Sequence, residues 1–425
     1  MLILQVASGD FFSTYGGGQV YVKNIVDEFL SQHIETVILS FVDGIHDVVS
    51  ERYHNAHLYK VPSFLSKGEL SAVIREIAPD LMHVHSHKAM LCEIGHSLGI
   101  PVIVTAHHGG ILCPVGTLMN DSDEICHTTH SVSHCLKCCL SGIRNGLFWY
   151  PLMKFLPENT YKKWGSWLSH KPFVPFVSPI GGAAWSISCK QQDWNKICQF
   201  ADKVVAPSIA IAEAMQRNGL LPTKITILPH GIPLPDHAPA VTTQKGGIKF
   251  FFVGRICYVK GLHILLEAFS RLSDPVAELH LIGGAGNKQE RRYLEGLKRR
   301  YQSDERIVWH GKIEPNLIFE TIKKFHIMIH ATICMEIYGL NIAEALAMGK
   351  PVLATRCGGA EMQIEEGVNG WLVAPNDVDA LYQRMRDLVE HRVHIPLHDV
   401  GSKVISIQEH CQSLLKLYEE TIDRC

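Results

Sequence analysis

Two glutamates, Glu336 and Glu344, stand eight positions apart with Gly339 between them. A carboxylate accepts hydrogen bonds, so two of them suit a ligand rich in hydroxyl groups. Ala343, Ala345, Leu346, Ala347 and Met348 are good helix formers. Gly349 marks a helix stop, and Pro351 opens an apolar run that reads as a strand. Gly339 therefore falls where a loop turns into a helix. Glu336 lies on that loop, and Glu344 inside the helix about two turns further on. The free amides of a helix start attract anions. A carboxylate pair around an anion-binding helix start suits a ligand with both phosphate and hydroxyl groups, and a nucleotide-sugar is such a ligand.

Other residues extend this chemistry. Gly254-Arg255 follows a predicted strand, and Lys260-Gly261 opens the next helix. Arg255 offers a planar fork of donors and Lys260 a compact charge, both suited to a diphosphate leaving group. Gly16-Gly17-Gly18-Gln19 follows the first strand, where glycines permit positive φ and close backbone approach. It lacks the G-x-G-x-x-G spacing, which disfavours a dinucleotide. Val104-Thr105-Ala106-His107-His108 ends another strand, and a histidine at the carboxyl edge of a parallel sheet points into a ligand crevice. His83, His85 and His87 alternate along a strand end and read as mainly structural. Cys113, Cys126, Cys135 and Cys138 share a long loop with Cys139. The C-x2-C spacing of Cys135 and Cys138 admits a structural zinc or other metal, while reduced thiols and disulfides remain the alternatives.

These segments resemble a known family. His330 to Val352 resembles the E-x7-E signature of retaining glycosyltransferases of family 4, which have the GT-B fold. The resemblance implies that Glu336 contacts the donor sugar, Glu344 binds the ribose hydroxyls, and the amides after Gly339, Leu340 first, hold the diphosphate. Val253 to Leu262 resembles the family's G-R-x4-K-G motif, which assigns Arg255 and Lys260 to the leaving group. Gly16 and Gly17 match its glycine loop. Val104 to His108, with Cys113-Pro114, resembles its T-x-H-D…C-P segment. His107 then contacts the donor sugar, and His108 replaces the usual aspartate. Pro229-His230-Gly231-Ile232-Pro233 resembles its interdomain turn, with two polar positions changed. Retaining transfer by front-face attack is implied. The donor would be a nucleotide-sugar, the acceptor a glycan, lipid-linked or small-molecule hydroxyl in cell-surface polysaccharide synthesis, with no cofactor required. The competing readings are a sugar-nucleotide epimerase of the same fold and a non-catalytic nucleotide-sugar-binding protein.

The elements that must position these residues read as α/β. At 425 residues the chain fits two domains. Short apolar runs alternate with helical patterns in both halves, which means βαβ units and parallel sheets. The expected architecture is GT-B: two doubly wound Rossmann-like domains facing a central cleft. The acceptor-side domain would span 1–235, with a cysteine-rich and aromatic insertion at about 109–185. A linker at 236–247, a nucleotide-sugar-binding domain at 248–404 and a last helix at 405–425, which the resemblance implies crosses back to the first domain, complete the scheme. Forty Lys and Arg against 42 Asp and Glu leave no basic field for nucleic acid. No run of 18 apolar residues predicts a transmembrane helix. Leu2 to Ala7 has no basic region before it and reads as a buried strand rather than a signal peptide. Thirteen cysteines, an odd count, argue for the reducing cytosol over a disulfide scaffold. Leu147, Phe148, Trp149, Tyr150, Phe155, Tyr161, Trp164, Trp167 and Leu168 gather near Lys154, Lys162 and Lys163. That segment reads either as peripheral contact with the inner face of a membrane or as a helical hairpin packed on the first domain.

Overall fold

The structure is a computed structural model that describes all residues except 13–15, 144, 156–159, 161–162, 164–166, 168–177, 236–246, 393–399, 402 and 425. The chain divides into two compact units. The first comprises Met1–Asp121, His127–Gly231 and Ile407–Cys425, the second Ser122–Cys126 and Ile232–Ser406.

The first unit is built on an eight-stranded sheet. Its strands are β1 (Ile3–Ser8), β2 (Thr36–Val42), β3 (Val49–Tyr53), β4 (Ala56–Pro62), β5 (Leu81–Val84), β6 (Val102–Thr105), β7 (Lys203–Ala206) and β8 (Ile225–Ile227). They lie in the order β3-β4-β2-β1-β5-β6-β7-β8. All neighbours are parallel except β3 and β4. The central strands β5 and β6 are buried at every position, as a parallel sheet covered on both faces requires. Helices Gly17–Ser31 and Lys88–Leu98 pack on the sheet, and helix Ile407–Ile422 packs on the first of them.

The second unit has six parallel strands: β9 (Lys249–Val253), β10 (Glu278–Ile282), β11 (Ile307–Gly311), β12 (Ile327–His330), β13 (Val352–Thr355) and β14 (Gly370–Val373). Their order is β11-β10-β9-β12-β13-β14. Phe251, Met328, Val352 and Ala354 from the sheet join Ile342, Ala345 and Leu346 from the helix Leu340–Ala347 in one core. That packing holds the helix start at the carboxyl end of the sheet.

Each sheet has a point where the strand order reverses, between β1 and β5 in the first unit and between β9 and β12 in the second. Crevices for ligands open at such points. His85 and the Gly16 loop follow β5 and β1; Gly254-Arg255 and Glu336 follow β9 and β12.

Some expectations needed correction. The pair β3–β4 was not expected: β3 is an edge strand carrying exposed Val49, Ser50 and Arg52, so its burial pattern lacks apolar alternation. The middle segment of the first unit runs to Gly231, and Ser122–Cys126 groups with the second unit, where Ile125 packs against the core. The proposed linker lies outside the described residues save Gly247. In the insertion, Cys135, Leu136 and Leu140 of helix Val132–Ser141 form a small core with Ile180, Ala184 and Ile187. Phe148 and Phe155 are exposed, while Tyr161, Lys162, Trp164 and Leu168 lie outside the described residues. Among the described residues no helix is long and apolar enough to cross a membrane.

Candidate active site

In the second unit, Glu336 leaves β12 on a loop pinned to its neighbour. Its amide donates to the Cys357 carbonyl at 2.7 Å, and its own carbonyl accepts from Gly359 at 2.8 Å. A Cβ on Gly359 would lie 2.4 Å from the Tyr338 carbonyl, so only glycine allows this approach. The Glu336 carboxylate forms an ion pair with Lys260. The His330 Nε2 lies 3.3 Å from the same carboxylate oxygen. Burial alone would raise the Glu336 carboxyl, but the Lys260 ammonium and the His330 bond outweigh it and hold it well below the usual carboxylate range. Burial tends to lower Lys260, and the Glu336 charge outweighs that and raises it. His330 is pushed down by burial, only partly offset by Glu336. It is thus a neutral ring donating Nε2–H to a carboxylate. Sequence reasoning missed His330, although it ends a strand six positions before Glu336 and its strand-end place was the available signal.

Lys260 arrives at this point because Gly261, at φ +67°, turns the chain into helix Leu262–Ser270. A Cβ there would come within 1.8 Å of the Ala331 carbonyl. Gly339, at φ +90°, starts helix Leu340–Ala347 in the same way. The Gln363 amide ties the turn down by donating to the Tyr338 carbonyl at 2.6 Å. Among the described residues the Leu340 and Asn341 amides donate to nothing, so the helix start is open to an anion. Glu344, on that helix, has no ion-pair or hydrogen-bond partner among the described residues, and burial pushes its carboxyl up to about 7. Arg255 does not join the Lys260–Glu336 pair. Its guanidinium is 62% exposed and lies 3.7 Å from Glu290.

In the first unit the strand-end histidines are neutral and linked by hydrogen bonds. The Gln5 amide nitrogen donates to the Tyr418 hydroxyl at 3.3 Å. Its oxygen is left to accept from His85 Nε2 at 2.9 Å. His85 Nδ1 is then an acceptor and takes a hydrogen bond from His107 Nε2 at 2.8 Å. This network holds His107 as the Nε2–H tautomer. His107 Nδ1 is buried and has no partner among the described residues. Burial, then neighbouring charges, push His85 and His107 well below the ordinary histidine range. His83 falls to about 3, chiefly by burial. It accepts from the Tyr418 hydroxyl at 2.6 Å and donates to Thr105 at 2.7 Å. His83 is structural as expected, but His85 sets the tautomer of His107. His87 is exposed and stacks on Phe41, with ring centroids 3.7 Å apart. His107, Gly16 and Gly18 line a cavity of about 760 Å³; Gly17 begins the adjoining helix.

Cys113, Cys135 and Cys138 lie near enough to act on the Cys139 thiol, which burial, then these neighbours, push up to about 12. Cys113, Cys135 and Cys138 lie in the first unit and Cys126 in the second. Cys135 is buried in the small apolar core of the insertion. Among the described residues no group of histidine, cysteine, aspartate or glutamate has the arrangement of a metal site.

Two parallel-sheet α/β units with crevices at their reversal points are the GT-B fold. The Anabaena protein HepE, solved with UDP and glucose, aligns over 97% of this chain and 99% of its own, with a TM-score of 0.65 and 16% identity. Residues 236–402 match the family model of glycosyl transferases group 1. Sucrose synthase of Acidithiobacillus caldus is 31% identical over 153 residues, 32% of this chain and 19% of that protein. The putative colanic acid biosynthesis glycosyltransferase WcaL of Escherichia coli K12 is 26% identical over 200 residues, 45% of this chain and 49% of that protein. These matches span from about a fifth to about half of the relatives' own length.

Proposed function

We propose that this protein is a retaining glycosyltransferase of family 4. It moves a sugar from a nucleotide-sugar to a hydroxyl of a glycan, lipid-linked or small-molecule acceptor, in cell-surface polysaccharide synthesis. The observation that carries the reading is the Glu336–Lys260–His330 constellation beside the open helix start at Gly339. The group 1 domain supports it, as do the colanic acid relative and the UDP and glucose bound by HepE.

In this reading the Leu340 and Asn341 amides receive the diphosphate, and Glu344 accepts from the ribose hydroxyls. Glu336 stays ionised at neutral pH and accepts from hydroxyls of the donor sugar. Lys260 is poised to follow the negative charge that grows on the leaving diphosphate as the glycosidic bond breaks. Arg255, exposed and paired with Glu290, adds a second cation by re-partnering to the diphosphate. No second carboxylate flanks Glu336 among the described residues, which favours front-face attack assisted by the leaving phosphate over a double displacement. His107, neutral and tautomer-locked, orients the sugar. The protein would act in the cytoplasm, with peripheral contact at the membrane through the exposed aromatics of the insertion.

The test is incubation of the full chain with a panel of nucleotide-sugars. Release of nucleoside diphosphate, with a product whose anomeric configuration by NMR equals the donor's, is expected. Inverted product would overturn retention, and a new sugar isomer without nucleotide release would overturn transfer.

A further inference from the structure

The cavity of the first unit carries positive character that the reading above does not use. Lys88, Lys190 and His108 all line it. Lys88 uses one donor on the His85 carbonyl, which leaves two N–H groups. Lys190 forms no ion pair among the described residues, although the Asp193 carboxyl lies near enough to feel its charge. The two ammonium groups disfavour one another: burial, then the Lys190 charge, push Lys88 down to about 8. His108 Nδ1 accepts from the Gly110 amide at 3.0 Å, so in the neutral ring Nε2 carries the proton and is a donor. Lys88, Ala89 and Met90 also form the first turn of the eleven-residue helix Lys88–Leu98, and their amides donate to nothing among the described residues. Of the acids on the cavity wall, Asp10 is paired with Lys60 at 3.5 Å. Asp193 is exposed and forms no ion pair with either lysine. Two ammonium groups with one nearby carboxyl, Asp193, are incompletely compensated, and an incoming anion lowers that cost.

We propose that this cavity holds a phosphoryl group of the acceptor, gripped by Lys88, Lys190 and the His108 Nε2–H. The inference rests on the transferase reading and names the acceptor's chemistry. A carboxylate offers two oxygens and one charge. The donors here, two ammonium groups, a ring N–H and the open amides of a helix start, exceed that and match a phosphoryl group's three oxygens and double charge. His107 lies on the same wall, so an acceptor anchored by its phosphate would present its hydroxyl beside the histidine that orients the donor sugar.

Isothermal titration of the full chain decides it, with glucose 6-phosphate as a soluble probe, vesicles carrying a polyprenyl phosphate as a lipid probe, and glucose as the uncharged control. At least one phosphate-bearing probe is expected to bind more tightly than glucose. Lys190→Ala is expected to weaken that binding by about tenfold or more, the usual loss for a charge-assisted hydrogen bond, while Lys190→Arg retains most of it. A preference for one probe assigns the acceptor as soluble or lipid-borne; either result supports the site. The proposal falls if neither phosphate probe exceeds glucose, or if Lys190→Ala binds as the parent does. It also falls if saturating UDP displaces the phosphate probe, since the anion would then be the donor's. UDP affinity should be the same in the parent and Lys190→Ala. Failure of the parent to bind any nucleotide would remove the transferase reading and leave the phosphate result standing by itself.

Discussion

In the second unit Glu336 and Lys260 at the strand reversal are ions that neutralise one another, whereas in the first the strand-end histidines are uncharged rings ordered by hydrogen bonds, with the Lys88 ammonium beside them. Glu336 and Lys260 sit at adjoining strand ends and each stabilises the charge of the other. His85 and His107 occupy the equivalent place in the other sheet, and burial keeps both neutral. The difference teaches what each place can do. A paired ion can re-partner when a ligand brings its own charge, so it can respond to charge that grows during a reaction. A neutral ring with a fixed tautomer cannot follow such charge, but it presents a donor and an acceptor in set directions.

The sharpest way to break this comparison is to remove the cation. Lys260→Ala is expected to lower kcat by about 10²- to 10³-fold, as loss of a charge-stabilising donor does, with a much smaller change in nucleotide affinity. Restoring neutrality with Glu336→Gln in the same chain should recover thermal stability but not turnover. Steady-state kinetics and a melting curve on the single and double variants check both. Unchanged kcat in Lys260→Ala would show that the pair is only structural.

The two glutamates of the second unit should separate next. Glu344→Ala is expected to weaken binding of a nucleoside diphosphate by about tenfold or more, because each lost hydrogen bond to a charged acceptor costs roughly 1.5–3 kcal/mol. Glu336→Ala should spare that binding and impair sugar transfer. Calorimetry with the diphosphate and a transfer assay, run on both variants, provide the readout. Equal losses of both properties in both variants would erase the division of labour.

In the first unit the expected effect is smaller, since it acts through orientation. Gln5→Leu leaves His85 without its acceptor, so the tautomers of His85 and His107 are no longer fixed. A fall in kcat of about tenfold is expected, the scale of one lost positioning bond, with donor affinity little changed. The His107 ring signals in ¹⁵N NMR should move from the Nε2–H pattern toward a mixture. A fully retained Nε2–H pattern would show that Gln5 is not what sets it.

Much of this was legible in the sequence because it is local. Strand β5 with its following histidines, the turn at Gly339 and the start at Gly261 each depend on residues close by in the chain. Lys260 and Glu336 could be named for the same reason, Lys260 being next to Gly261 and Glu336 three positions before Gly339. What was not legible depends on contacts across long stretches of chain. His330 was passed over because nothing in an apolar strand shows that its last side chain meets Glu336. Gln5 and His85 are 80 positions apart, and Tyr418 reaches His83 from a helix 335 positions later. The cysteines show the converse: C-x2-C spacing is local and sets Cys135 and Cys138 on helix Val132–Ser141, but the approach of Cys113 to the Cys139 thiol comes from the fold, as does the packing of Cys135 among apolar side chains.

The smallest effect concerns pH and follows from Glu344. Burial lifts its carboxyl to about 7, so near neutrality it is partly protonated. A protonated carboxyl has lost one of the acceptors that a vicinal diol would use. Binding of a nucleoside diphospho-sugar, whose phosphates do not titrate between pH 6 and 8, should therefore strengthen as pH rises. With a pKa of about 7 the ionised fraction changes from roughly a tenth to nine-tenths over that range, so the gain is at most about tenfold. Stability moves the other way. A carboxyl whose pKa is raised on folding contributes stability that is present below its unfolded value of about 4.3 and is lost as pH rises through about 7. Glu344→Gln abolishes both trends, giving a pH-independent and weaker affinity together with a chain that melts higher than the parent at pH 8. Glu344 is only partly buried, so solvent screening limits the stability gain to about 2 kcal/mol or less. Titrations at pH 6, 7 and 8 on the parent and the variant measure the first trend, and melting curves at the same pH values the second. A parent whose affinity is flat across the range would mean that Glu344 is already ionised at pH 6, and the second unit would then differ from the first in having every acid at its reversal point charged.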